Sequence, residues 1–126
     1  MKKSFLLATA LVMAGGLSLA YAGNVEKGKA LFESPTLGGG TTGKSCQSCH
    51  PDGKRLGSDL FERKHLRLMG YAKTNVAEVV NSCIEKPLGG KAIDPNGEEM
   101  QDLLAYMQTL TAKQAKPKKM GGMEGC

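Results

Sequence analysis

Cys46, Cys49 and His50 stand in the run Cys46-Gln47-Ser48-Cys49-His50, the tightest grouping of thiols and imidazole in the chain. Two thiols at C-x-x-C spacing can form half of a zinc site, a redox dithiol, or two thioether links to the vinyl groups of a porphyrin. The histidine that follows directly selects the third chemistry, because its ring can reach an iron held between those links. A zinc site would want a second close Cys/His pair, and a thioredoxin-like dithiol would want an alternating α/β pattern; the sequence offers neither. The expectation is therefore one covalent haem c on Cys46 and Cys49, with His50 as an axial iron ligand.

The elements that must position this run can be read around it. Residues 24–33 read as a first helix, with Asn24 as N-cap and Val25, Gly28, Leu31 and Phe32 spaced along one face. Gly28 would let another backbone approach closely, and Phe32 would fill the space beside it. Residues 34–44, with Pro35, Gly38, Gly39, Gly40 and Gly43, read as a flexible loop leading to the motif. Pro51-Asp52-Gly53 is a turn that ends any helical turn carrying the thiols. Residues 54–74 have apolar groups without a clean period, so loop and one short helix over a haem edge are expected.

Thr74 reads as the cap of a helix over residues 75–85. Val76, Val79, Val80, Cys83 and Ile84 fall there at i, i+3, i+4, i+7 and i+8, which points Cys83 inward. A buried free cysteine commonly acts as a small hydrophobe, and the alternative is a thiolate ligand to the iron. Pro87, Gly89 and Gly90 break that helix. Residues 98–111 form the last one, with Met100, Leu103, Leu104, Met107 and Leu110 as its stripe and Glu98, Glu99 and Asp102 in its first turn. Tyr106 is expected to cross the first helix near Gly28 and Phe32.

Residues 1–22 have the build of a secretory signal peptide: Lys2 and Lys3, an apolar run, then Ala20-Tyr21-Ala22 as a small-x-small cleavage site before Gly23. The alternative is an uncleaved membrane anchor, disfavoured because the run is short and broken by Gly15 and Gly16. Cleavage leaves about 104 residues, one small domain, in a periplasmic setting. Aromatic residues are 5% of the chain and tryptophan is absent, so a porphyrin would supply much of the apolar core volume.

Without Lys2 and Lys3 the formal net charge falls from +5 to about +3, too little to argue for nucleic acid. Its distribution is uneven. Residues 54–73 hold Lys54, Arg55, Arg63, Lys64, Arg67 and Lys73 against Asp59 and Glu62, a face suited to an acidic redox partner or simply to solvent. Residues 113–126 read as a disordered Lys/Gly/Met-rich tail. Met120, Met123 and Cys126 there form either an incidental end or a weak site for a soft metal.

Taken together, Gly28 with Phe32, Cys46–His50, and Leu103-Leu104-Ala105-Tyr106-Met107 with Leu110 make the chain resemble a class I c-type cytochrome. That resemblance implies a small all-α fold over residues 23–112, with helices packed around one haem, and electron transfer as the function. In the common form of the family a Met in the loop before the last helix is the sixth ligand. Here residues 86–97 contain no Met, and Met100 falls inside the helix. A narrower resemblance rests on Val79-Val80-Asn81-Ser82-Cys83-Ile84, Pro87-Leu88-Gly89, and Glu99-Met100 through Tyr106. It is to the cytochrome domains of SoxA and of thiosulfate dehydrogenases, where the matching Cys faces the iron opposite His. It implies His50 and Cys83 as axial pair, against Met100, Met69, Lys91, His65 or an open site. Three functions follow: an electron carrier, a subunit or enzyme of thiosulfate oxidation, and a ligand- or metal-binding module.

Overall fold

A computed structural model describes residues 22–115. All of the expected leader except Ala22, and the tail from residue 116 on, lie outside the described residues. The elements in chain order are α1 (Val25–Glu33), α2 (Cys46–Cys49), β1 (Leu66–Leu68), β2 (Tyr71–Lys73), α3 (Val76–Glu85) and α4 (Glu98–Gln114), with short 3-10 turns at Leu37–Gly39 and Pro51–Gly53.

The α1–α4 pair is the main packing contact. Asn24 starts α1 by accepting the Lys27 N–H on its side chain at 2.9 Å. Gly28 and Phe32 are its buried face. At Gly28 the two backbones run so close that a Cβ would overlap the Asp102 carbonyl and sit 2.8 Å from the Tyr106 Cβ. Phe32 and Tyr106 then meet edge to face, ring centroids 5.4 Å apart at 69°. This is the crossing expected from Gly28, Phe32 and Tyr106.

The glycine-rich loop is tied down rather than free. Thr41 N–H donates to Leu88 O at 2.9 Å, Thr42 Oγ1 to Pro87 O at 2.8 Å, and Lys91 N–H to Gly38 O at 2.8 Å. These bonds join it to the loop after α3, with Leu37 and Leu88 buried at the seam. On that loop's other side, Asn81 of α3 makes two amide bonds to one residue, Nδ2 to Ile93 O and Oδ1 from Ile93 N–H, both 2.9 Å.

Three expectations are corrected. Residues 54–74 do not add a helix: they form turns and then an antiparallel hairpin pairing Leu66 with Lys73, Arg67 with Ala72 and Leu68 with Tyr71. The described residues are therefore helical with a two-stranded ribbon, not purely α. The reason is local, since Met69 and Gly70 both take positive φ, 52° and 83°, the geometry of a two-residue turn that matches strand twist. The second correction is smaller. Asn75, not Thr74, caps α3, accepting the Glu78 N–H at 3.0 Å, while the Glu78 carboxylate takes the Thr74 N–H at 2.9 Å and its hydroxyl at 2.7 Å. The last helix also runs one turn beyond residue 111, to Gln114, whose side-chain amide donates to Gly53 O.

The helix crossing makes a direct prediction. Gly28→Ala must push α1 off α4, and its cost should reach or exceed the ~1–3 kcal/mol typical of overpacking. The check is a urea unfolding curve beside Ala30→Gly, an exposed change on the same helix that should cost about 1 kcal/mol.

Candidate functional site

The four-residue helix α2 carries the thiols, and its sequence closes it on itself. Ser45 and Ser48 form a reciprocal box: the Ser45 hydroxyl accepts the Ser48 N–H at 3.3 Å, and the Ser48 hydroxyl accepts the Ser45 N–H at 3.0 Å. His50 ends the turn, its N–H bound to Cys46 O at 2.8 Å. The following Pro51–Gly53 turn seats the motif against α4. Gly53 is buried there at φ 78°, and a Cβ on it would lie 2.7 Å from the Leu110 Cβ. Glycine at 53 is thus demanded both by backbone geometry and by space.

His50 is oriented by its own turn. Its Nδ1 lies 2.9 Å from the Lys54 carbonyl oxygen, which can only accept. In the neutral ring Nδ1 is therefore the N–H, and Nε2 keeps a bare lone pair, the arrangement found in metal-bound histidines.

Cys46, His50 and Cys83 line one cleft with Phe32, Leu56, Leu60, Leu66, Leu68, Val79, Val80 and Met107. Three arginines, Arg55, Arg63 and Arg67, complete its lining. The cleft has a volume of about 180 Å³ and is open to solvent on one side. Ligand clefts are usually ~300–1,000 Å³, so a planar macrocycle would have to reach beyond this one and leave an edge in solvent. Cys49 ends α2 on its exposed side and is outside this lining. Three residues after Cys46, it is within the reach of neighbouring side chains on one helical turn.

Of the proposed partners for an iron opposite His50, only Cys83 borders the cleft. Met100 is fully buried elsewhere in the core, His65 and Lys91 are exposed, and Met69 is 54% exposed at the hairpin turn. The sequence reading missed Met107, a thioether in the cleft that it placed in the core stripe. It also missed the cleft role of Arg55 and Arg67, which it counted only as surface charge. Arg63 is held by Asp59 at 2.6 Å, while no ion pair to Arg55 or Arg67 exists among the described residues. Arg55 also has φ 69°, a costly conformation for a side-chain-bearing residue and one that gathers at functional sites.

Burial, then the neighbouring Cys83, pushes the Cys46 thiol up to about 11, and burial, then Cys49, raises that of Cys83. Both are neutral thiols at pH 7, compatible with an apolar cleft, and a bound metal cation would reverse this by favouring the thiolate. Among the described residues no three His, Cys, Asp or Glu side chains converge to hold a metal ion unaided. A porphyrin brings four nitrogen ligands of its own, so an iron in it asks the chain only for axial groups.

No protein-family model, curated protein or solved structure matches this chain. No helix of the described residues is long and apolar enough to cross a membrane.

The raised Cys46 value fixes a pH dependence. With its thiols free, the folded protein holds the Cys46 proton up to about 11 while the unfolded chain releases it near the ordinary ~8.5. The Cys46 contribution is thus complete below that unfolded value and falls as pH rises between the two, at most by ~1.4 kcal/mol per pH unit, and the raised Cys83 thiol adds a slope of the same sign. Urea midpoints from pH 7 to 10.5 should show this slope in the parent and lose much of it in Cys46→Ala.

Proposed function

We propose that the protein is a periplasmic monohaem c-type cytochrome that carries electrons, with the haem on Cys46 and Cys49 and His50 as one axial ligand. The observation that carries this reading is the meeting of three features at one cleft: a thiol of the C-x-x-C-H run, an imidazole with its Nε2 free, and a largely apolar lining. Each suits one part of the group: thioether attachment, iron ligation, and burial of the ring. Arg55 and Arg67 would serve its two carboxylates, as guanidinium groups pair well with carboxylates at a cleft mouth. A haem would supply a one-electron couple, and the chain would anchor it through Cys46 and Cys49, hold the iron with the His50 imidazole and cover part of the ring with the apolar side chains of the cleft.

Cys83 is the favoured second axial residue, since it borders the cleft and Met100 does not. A thiolate donates electron density to ferric iron and would lower the reduction potential relative to a thioether. The basic residues around Arg63, Lys64 and Arg67, next to the exposed Met69 and Tyr71, offer a face for an acidic redox partner.

A second reading, thiosulfate or sulfur oxidation, is favoured by one specific observation. The Cys83 thiol and the unpaired Arg55 and Arg67 line the same cleft, which suits a small sulfur oxyanion approaching the metal.

Ferric absorption into the near infrared and low-temperature EPR test the ligand set. The expected spectrum is of thiolate type in the parent and in Met107→Leu, and is lost in Cys83→Ala. A thioether charge-transfer band that survives Cys83→Ala and vanishes in Met107→Leu would assign the position to Met107. Failure of the exported protein to bind haem covalently would overturn the main reading. Thiosulfate-dependent reduction of the ferric protein, lost in Arg55→Ala, separates the second reading from a pure carrier.

A further inference from the structure

Away from the cleft, Asp102 sits on the face of α4 that α1 crosses and is only 4% exposed. Its Oδ1 accepts the Asn24 N–H at 2.6 Å, and among the described residues no ion pair reaches it. A carboxylate buried this deeply and left without a cation in contact is costly. The charged residues nearest in sequence on the two helices are Glu26 and Lys27 of α1 and Glu98 and Glu99 of α4, and of these Lys27 interacts with Asp102 through its field. Lys27 is already engaged, with its Nζ 2.7 Å from Glu98 Oε1. Its ammonium is held above its usual value chiefly by Glu98, with Asp102 contributing less.

One residue before Asn24, the backbone of Gly23 lies flat against α4, where any Cβ would overlap the Gln101 carbonyl. Ala22 is exposed. Consecutive residues are 3.8 Å apart at Cα, so the Gly23 nitrogen lies within about 6 Å of the Asp102 carboxylate, inside the range where opposite charges couple.

We infer that hydrolysis of the Ala22–Gly23 bond completes this site by turning the Gly23 nitrogen into an α-ammonium that serves as the counter-ion of Asp102. A leader peptidase with small-residue specificity adds water across the amide. The new carboxylate departs on Ala22, and the Gly23 nitrogen takes up protons to become the ammonium. Glycine fits here on two counts, since it clears the α4 backbone and presents an unhindered terminus. The inference rests on residues 1–22 being a cleaved leader and is independent of haem and its ligands.

The sign follows from the pairing. An ammonium whose folded value is raised stabilises fully below the ordinary ~7.7–8.0 of an α-amino group, and the gain is lost as pH rises through the folded value. The experiment uses the exported protein, its N-terminus read by mass spectrometry and its α-amino group titrated by NMR. The expected result is a terminus at Gly23 with proton affinity at least about tenfold above an ordinary α-amino group. That excess should disappear in Asp102→Asn, and also in a chain begun at Ala22, which moves the charge out by one residue without touching the core. A terminus at another residue overturns the inference together with the leader boundary. A terminus at Gly23 with ordinary titration in all three proteins overturns the ion pair and leaves the leader reading standing.

Discussion

The approach of α1 to α4 at backbone distance is the constraint from which the rest of this small structure hangs. It is possible because Gly28 has no side chain to hold the helices apart, and it is locked by the Phe32–Tyr106 edge contact beside it. That contact sets where α4 lies, and α4 in turn receives the Cys46–His50 segment through Gly53 on Leu110 and the Gln114 amide on Gly53 O. A site built on a four-residue helix has little rigidity of its own. Here it borrows that of a seventeen-residue helix fixed at its other end.

The cleft combines two demands that usually conflict. Its walls are apolar enough to keep thiols neutral, yet its lining includes three guanidinium groups. One of these is neutralised by Asp59, and the other two leave the cleft with net positive potential. Such a lining favours an occupant with a large apolar body and an anionic edge, whose charges can stay near water while its body is covered.

What could be read from the sequence was local in character. The N-cap Asn24, the amphipathic helices and the turn at Gly53 all depend on residues a few positions apart. The hairpin escaped because its strands are three residues long and its turn, Met69-Gly70, lacks the usual Asn or Asp at the first position. The cleft lining escaped for another reason. Met100 and Met107 are seven residues apart, and a helix turns almost back on itself over that distance, so periodicity puts both on one stripe. Only the position of α4 along its axis, a tertiary fact, brings Met107 to the cleft and leaves Met100 in the core.

The Asn81 clamp on Ile93 has a consequence for which side chains the fold admits. One carboxamide gives a hydrogen to a carbonyl and takes one from the amide of the same residue, so it imitates the rung of a β-ladder with a side chain in place of a second strand. Aspartate would set an acceptor against the Ile93 carbonyl, a hydroxyl has only one arm, and glutamine carries the same group one methylene too far. Position 81 is thereby narrowed to a single letter of the amino-acid alphabet by geometry alone, two residues from Cys83 and outside the cleft.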